Sequence, residues 1–253
     1  MLATASANAG VGPAKAVTLP VVEIFGPTVQ GEGPDAGKPA YFVRFGGCDY
    51  RCSWCDSMHA VQPAEVRANA ERLSVGQILN KVDELPDGPE LVVISGGNPA
   101  LLDLTELVAE FRHSGKRIAV ETQGSRWREW LANVDRLVIS PKPPSSGMAG
   151  PRQFEEMGAF MEKAASMVAS VLKIVVFDHD DLDWAAARHR EYPALPLYLS
   201  AGTDVGLSSE DTLEVLRERY RWLCETVALR ADLASARVLP QLHVIAWGTA
   251  KGV

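Results

Sequence analysis

A chain of 253 residues that is 47% hydrophobic and 23% charged is long enough to bury a full core, and its mean hydropathy of −0.02 is ordinary for a globular protein. A net charge of −7 with scattered Lys and Arg excludes a broad basic face for nucleic-acid phosphates and favours a small-molecule substrate. No apolar run approaches the roughly 18 residues of a membrane span, and four cysteines without a secretory signal argue for a reducing, cytoplasmic compartment rather than a disulfide framework.

Residues 1–20, rich in Ala and Gly, read as a disordered leader, and 21–253 as one domain. Residues 21–25 predict a short strand ended by Gly26-Pro27, before a Gly-rich loop over 28–34. Residues 40–45 are β-rich and run straight into Gly46-Gly47-Cys48, where two glycines permit a turn and close approach to a bulky ligand. Residues 60–73 show no period and predict a loop or irregular helix. Ser74 with Gln77 is a capping box opening a helix to about Leu85. Residues 91–94 are continuously apolar, as in a parallel strand buried on both faces. A helix opens at Asp103 and Glu106 and closes at Gly115.

Strands at 117–120, 136–139, 172–177 and 197–199 then alternate with helices at 126–133, 153–167 and 181–190. A long helix over 208–229 and an apolar segment over 242–247 complete the pattern, and Cys224, mid-helix, reads as a core residue. This alternation implies βαβ units and an α/β fold: a partial (β/α) barrel with mostly parallel strands. The polar, Gly-rich or Pro-rich stretches 46–57, 95–100, 121–125, 140–147 and 200–206 all follow strands, so binding groups collect on one rim.

On that rim stand Cys48, Cys52 and Cys55, spaced C-x3-C-x2-C. Buried structural thiols fit poorly beside Asp49, Arg51 and Asp56. A zinc site of Cys3His type would take His59 as its fourth ligand. A site-differentiated 4Fe–4S cluster would use three thiolates and leave one iron open to a ligand.

The motif, with Trp54 before the last cysteine, resembles that of the radical S-adenosylmethionine (SAM) superfamily. The resemblance narrows with Val29-Gln30-Gly31-Glu32-Gly33, Arg44-Phe45-Gly46-Gly47-Cys48, Cys55-Asp56-Ser57, Ser95-Gly96-Gly97-Asn98-Pro99, Glu121-Thr122-Gln123-Gly124-Ser125, Ser140-Pro141-Lys142, Leu172-Lys173 and Gln241-Leu242-His243. Together these are similar to the 7-carboxy-7-deazaguanine synthases, over nearly the whole chain from Val21 to Trp247.

That resemblance implies a ring-contracting lyase that converts 6-carboxy-5,6,7,8-tetrahydropterin to 7-carboxy-7-deazaguanine with loss of ammonia, feeding queuosine-type 7-deazapurine pathways. It implies a 4Fe–4S cluster on Cys48, Cys52 and Cys55, SAM on the open iron as the source of a hydrogen-abstracting adenosyl radical, and Mg2+ on Ser57. It implies an external electron donor such as flavodoxin or ferredoxin, and a homodimer. SAM contacts are expected from Ser95, Gly96, Gly97, Glu121, Gln123, Ser140, Pro141 and Lys142, with Ser200, Ala201, Gly202 and Thr203 at the adenosine. Pterin contacts are expected from Val29, Gln30, Gly31, Glu32, Arg44, Ser95 and His243. Gln30 offers both donor and acceptor to an amide edge, Glu32 accepts from amino-pyrimidine N–H groups, and Arg44 suits a carboxylate. The superfamily usually has Glu where Asn98 stands, a departure that removes any carboxylate contact there. Two other readings remain at this point: a different radical SAM activity such as glycyl-radical activation, or a zinc-stabilised module without catalysis.

Overall fold

Nine strands form one sheet in the computed structural model, which describes residues 17–167, 169–250 and 252. They are β1 (Leu19–Val29), β2 (Pro39–Phe45), β3 (Glu71–Leu73), β4 (Leu91–Gly96), β5 (Arg117–Thr122), β6 (Arg136–Ile139), β7 (Ser170–Val176), β8 (Leu197–Ala201) and β9 (Arg237–Leu239). Their order is β3-β1-β2-β4-β5-β6-β7-β8-β9. β1 pairs antiparallel with β2 and β3, and every pairing from β2 to β9 is parallel. This is the expected α/β partial barrel.

The helices are α1 (Met58–Val61), α2 (Pro63–Asn69), α3 (Val75–Asp83), α4 (Thr105–His113), α5 (Pro151–Ala165), α6 (His179–Glu191), α7 (Ser209–Ala228) and α8 (Leu242–Trp247). Strand alternation sorts the side chains. Val92 and Ile94 of β4 join Ile78, Leu107 and Phe111 in the main core between sheet and helices, while Leu91 and Val93 face the other way with Ala40 and Ala119. None of the described helices is long and apolar enough to cross a membrane.

Several sequence expectations shift. Residues 1–16 of the expected leader lie outside the described residues, but Leu19 and Pro20, assigned to it, begin β1 and pair with Leu73 and Arg72. β1 does not stop at Gly26-Pro27; it continues to Val29 through an irregularity in its pairing between Phe25 and Thr28. Residues 58–73 form α1, α2 and β3, separated where Pro63 opens a new helix at its first turn. The helix expected over 126–133 is a 3-10 turn at Glu129–Asn133. Arg128 donates to the carbonyls of Ala100 and Leu101 and Trp130 to that of Leu102, tying the segment to the loop after β4. Cys224 is half-buried rather than core.

The capping box is present in full: Ser74 Oγ accepts from the Gln77 N–H at 3.3 Å and Gln77 Oε1 from the Ser74 N–H at 2.8 Å. Ser74→Ala should lower the unfolding free energy by about 1 kcal/mol, seen as a lower urea midpoint with an unchanged slope.

Candidate active site

One strand residue in two points into the barrel, and along the parallel strands that inward column changes from apolar to polar near the C-terminal end. On β4 it runs Val93 then Ser95, on β5 Ala119 then Glu121, on β7 Val171 then Lys173; on β2 Phe42 precedes Arg44, which pairs in register with Ser95. The polar tops of these columns and the loops beyond them line a cavity of about 610 Å³. Of the residues expected at the site, Val29, Gln30, Gly31, Glu32, Arg44, Cys48, Cys52, Cys55, Ser57, Ser95, Gly96, Gly97, Glu121, Gln123, Ser140, Lys142, Thr203 and His243 line it; Pro141, Ser200, Ala201 and Gly202 do not.

The cysteine loop reaches this cavity because the end of β4 lets it. Gly96 has φ +139°, and a Cβ there would overlap the Phe45 carbonyl; a Cβ on Gly97 would overlap the carbonyl of Gly47. Asn98 N–H donates to that Gly47 carbonyl at 2.8 Å. These glycines are therefore required by the packing of one chain segment on another, and not only by close approach of a ligand. Farther along the loop, Ser53 Oγ donates to the Ser145 carbonyl at 2.8 Å and Trp54 Nε1 to Ser145 Oγ at 3.0 Å. Ser145 is in turn held by Asp181, which accepts from its N–H and hydroxyl.

Burial pushes the three thiols up, Cys55 to about 11 with Asp56 adding to the effect. Among the described residues no three His, Cys, Asp or Glu side chains gather closely enough to hold one metal ion. His59, the fourth ligand of the zinc reading, has its Nε2 3.3 Å from Glu23. Three thiols spread along one loop facing a common cavity fit the larger body of an iron–sulfur cluster. The Ser95 hydroxyl is buried in the wall without a hydrogen-bond partner among the described residues, as suits a site for a polar ligand.

Lys173, which the sequence presents only as part of the Leu172-Lys173 match, lies at the cavity floor. Its side chain is 3% exposed and its ammonium is 2.6 Å from Glu32 and in hydrogen-bonded contact with Glu121. Gln241 Nε2 donates to the other oxygen of Glu32 at 3.0 Å, and Thr203 Oγ1 donates to Gln241 at 2.8 Å. Burial pushes the Glu32 carboxyl up, but Lys173, His243 and the hydrogen bonds from Lys173 and Gln241 outweigh it and hold the carboxyl at about 2. For Lys173 burial acts downward and the two carboxylates prevail, raising it. The signal for Lys173 was a lone cation inside the fully buried run 170–176.

At the opposite wall Arg44 Nε donates to Glu23 at 2.9 Å and Nη1 to Ser57 Oγ at 3.0 Å. Ser57, expected to hold Mg2+, thus already accepts from a guanidinium. Gln123, expected at SAM, gives its amide to Asp49 at 2.5 Å. Lys142 donates to Ser140 at 3.1 Å and stands over the Trp54 ring. His243 packs on Gly31, where a Cβ would overlap its ring, and Leu242 N–H donates to the Gly31 carbonyl at 3.0 Å, so α8 is seated on the loop after β1.

Residues 42–142 match the model of the Radical SAM superfamily. A 7-carboxy-7-deazaguanine synthase of Bacillus cereus is 39% identical over 239 residues, 93% of this chain and 99% of that protein. Its counterpart in Bacillus subtilis is also 39% identical, over 93% of this chain and 98% of its own. The fold is similar to the crystal structure of QueE from Escherichia coli, with a TM-score of 0.65 at 23% identity over 89% of this chain and 95% of that one.

Lys173→Met should remove the cation while leaving two half-buried carboxylates facing each other, costing about 3 kcal/mol at neutral pH in equilibrium unfolding. The pH dependence has a defined sign. Glu32 is lowered from 4.5 to about 2, so its contribution is full above 4.5 and is lost as pH falls from there through 2. Denaturation series across that window should show this acid slope in the wild type and lose it in Lys173→Met.

Proposed function

The chain belongs to the 7-carboxy-7-deazaguanine synthase family, and from that premise we propose that it is a radical SAM lyase converting 6-carboxy-5,6,7,8-tetrahydropterin to 7-carboxy-7-deazaguanine with loss of ammonia, in 7-deazapurine biosynthesis. The observation that carries this is the joining, in one cavity, of the cysteine loop with Gln30, Glu32 and Arg44 on one side and Ser95, Ser140 and Lys142 on the other.

Cys48, Cys52 and Cys55 would hold the 4Fe–4S cluster, which with SAM supplies the electron and the hydrogen-abstracting radical. Ser95, Gly96, Gly97, Glu121, Ser140 and Lys142 are placed to hold SAM, with Thr203 toward the adenosine. Pro141, Ser200, Ala201 and Gly202 enter only as the frame behind Lys142 and Thr203. Glu32, kept ionised by Lys173, accepts N–H groups of the aminopyrimidine edge, and Gln30 with its neighbours Val29 and Gly31 borders the same edge. Arg44 faces the substrate carboxylate. With the Arg44 guanidinium 3.0 Å from Ser57 Oγ, a Mg2+ ion there requires anionic oxygens from that same carboxylate to offset the repulsion. His243 covers the pterin side. An external donor such as flavodoxin or ferredoxin, a cytoplasmic setting and a homodimer complete the proposal; exposed Ile245 and Trp247 on α8 support contact between copies.

Anaerobically reconstituted protein given SAM, reductant, Mg2+ and the carboxylated tetrahydropterin should yield a deazapurine chromophore. Slow SAM cleavage with no purine would overturn the substrate and favour another radical SAM activity. Cys48→Ala should fold normally, bind little iron and be inactive; stoichiometric zinc without iron in the wild type, together with an unfolded Cys48→Ala variant, would favour the non-catalytic module.

A further inference from the structure

Asn98 stands directly after Gly96-Gly97, where glutamate is usual in the superfamily that this chain resembles. It is 2% exposed and all of its hydrogen-bonding groups are engaged. Its Oδ1 accepts from Thr122 Oγ1 at 2.8 Å and from the Ala100 N–H at 3.2 Å; its Nδ2 donates to Asp49 at 3.0 Å and to Ser125 Oγ at 3.0 Å. Asp49, the exposed residue after Cys48, takes two more donors: Gln123 Nε2 at 2.5 Å and Ser125 Oγ at 2.6 Å. One carboxylate on the cysteine loop is thus held by three neutral donors, one from the end of β4 and two from the loop after β5. Gln123 Nε2 also lies 3.7 Å from Cys48 Sγ, an N–H···S contact to one of the three thiols.

From this arrangement we infer that Asp49 and Asn98 form a charge-matched clasp that holds the cysteine loop against the ends of β4 and β5 and sets how firmly the 4Fe–4S cluster is retained. The inference rests on the reading of that loop as the seat of the cluster. Both residues are positioning residues, with no contact to substrate. The amide at 98 is required by the acid at 49. A glutamate at 98 would replace a buried donor with a buried carboxylate beside a second carboxylate, losing the hydrogen bond and adding like-charge repulsion. The clasp also orients the Gln123 amide toward the Cys48 sulfur, and hydrogen bonds to cluster sulfurs are one of the protein's means of tuning such a cluster. Chains with glutamate at this position would therefore need a neutral or basic residue after the first cysteine.

The test uses anaerobically reconstituted holoenzyme and follows iron release to a ferrous chelator, with apo-protein unfolding measured alongside. Wild type should hold four irons per chain and release them slowly. Asn98→Glu should release on the order of tenfold faster, and adding Asp49→Asn to the same chain should bring the rate back toward wild type by removing the opposing charge. Ser125→Ala, which removes one donor and adds no charge, should give an intermediate rate with apo stability close to wild type. Release from Asn98→Glu at the wild-type rate, or a double variant as leaky as Asn98→Glu alone, would overturn the clasp. Wild-type protein that takes up no four-iron cluster would instead overturn the reading on which the clasp rests.

Discussion

A lysine inside a parallel sheet is an expensive residue, and the interior of this barrel is arranged around one. Lys173 sits in a run that is buried from Ser170 to Val176, so its charge is tolerable only with partners at hydrogen-bonding distance. Those partners come from far along the chain: Glu32 is 141 residues away and Glu121 is 52 residues away. Satisfying one ammonium therefore brings the loop after β1 and the end of β5 together over the floor of β7. Gln241 extends the same demand to the C-terminus by donating to the second oxygen of Glu32. The cavity floor is a consequence of this pairing: neutralising Lys173 would leave Glu32 and Glu121 facing each other without a cation.

The cysteine loop is placed by a different constraint, close backbone approach. At the end of β4, Gly96 and Gly97 leave room for the carbonyls of Phe45 and Gly47, and the backbone amides of Gly97 and Asn98 donate to those same carbonyls. The loop is then fixed at a second point, where Trp54 and Ser53 bond to Ser145 and Ser145 is seated on the buried carboxylate of Asp181. The half-buried Cys48 and Cys52 thus lie between two anchored points, with Cys55 directly after the second. A loop of this composition free in solvent would have no single geometry; held at both ends, it presents Cys48, Cys52 and Cys55 to one cavity.

How much of this was legible in the sequence follows from the range of each interaction. The parallel strands were visible because continuous apolar runs such as residues 91–94 need only local reading, and the capping box at Ser74 because its two partners are three residues apart. β3 and β9, at three residues each, are too short to show any alternation, and the 3-10 turn at Glu129–Asn133 is set by contacts from Arg128 and Trp130 to the loop after β4. In the site, the cysteines were visible by spacing and Arg44 by its place on the strand feeding them. The commitments of Gln123 to Asp49 and of Thr203 to Gln241 were not, because a side chain's partner across 74 or 38 residues leaves no local pattern. The Gly96-Gly97 pair was visible as a signal of close approach, but the sequence did not show that the approaching atoms belong to the chain itself.

The two lysines of the cavity show why residue type alone underdetermines chemistry. Lys142 and Lys173 would each be read first as solvated surface cations. Lys173 is locked between two carboxylates, and the three groups together carry one net negative charge into the floor of the cavity. That wall favours ligand groups that are cationic or rich in N–H donors, such as an ammonium, a sulfonium or an aminopyrimidine edge. Lys142 donates to the Ser140 hydroxyl and stands over the Trp54 ring, and Arg44, across the cavity, is paired with Glu23. The floor of the cavity is thus negative before any ligand arrives. A ligand that carries a carboxylate at one end and nitrogen donors at the other is favoured with its donors toward that floor, and both SAM and a carboxylated pterin are molecules of this kind.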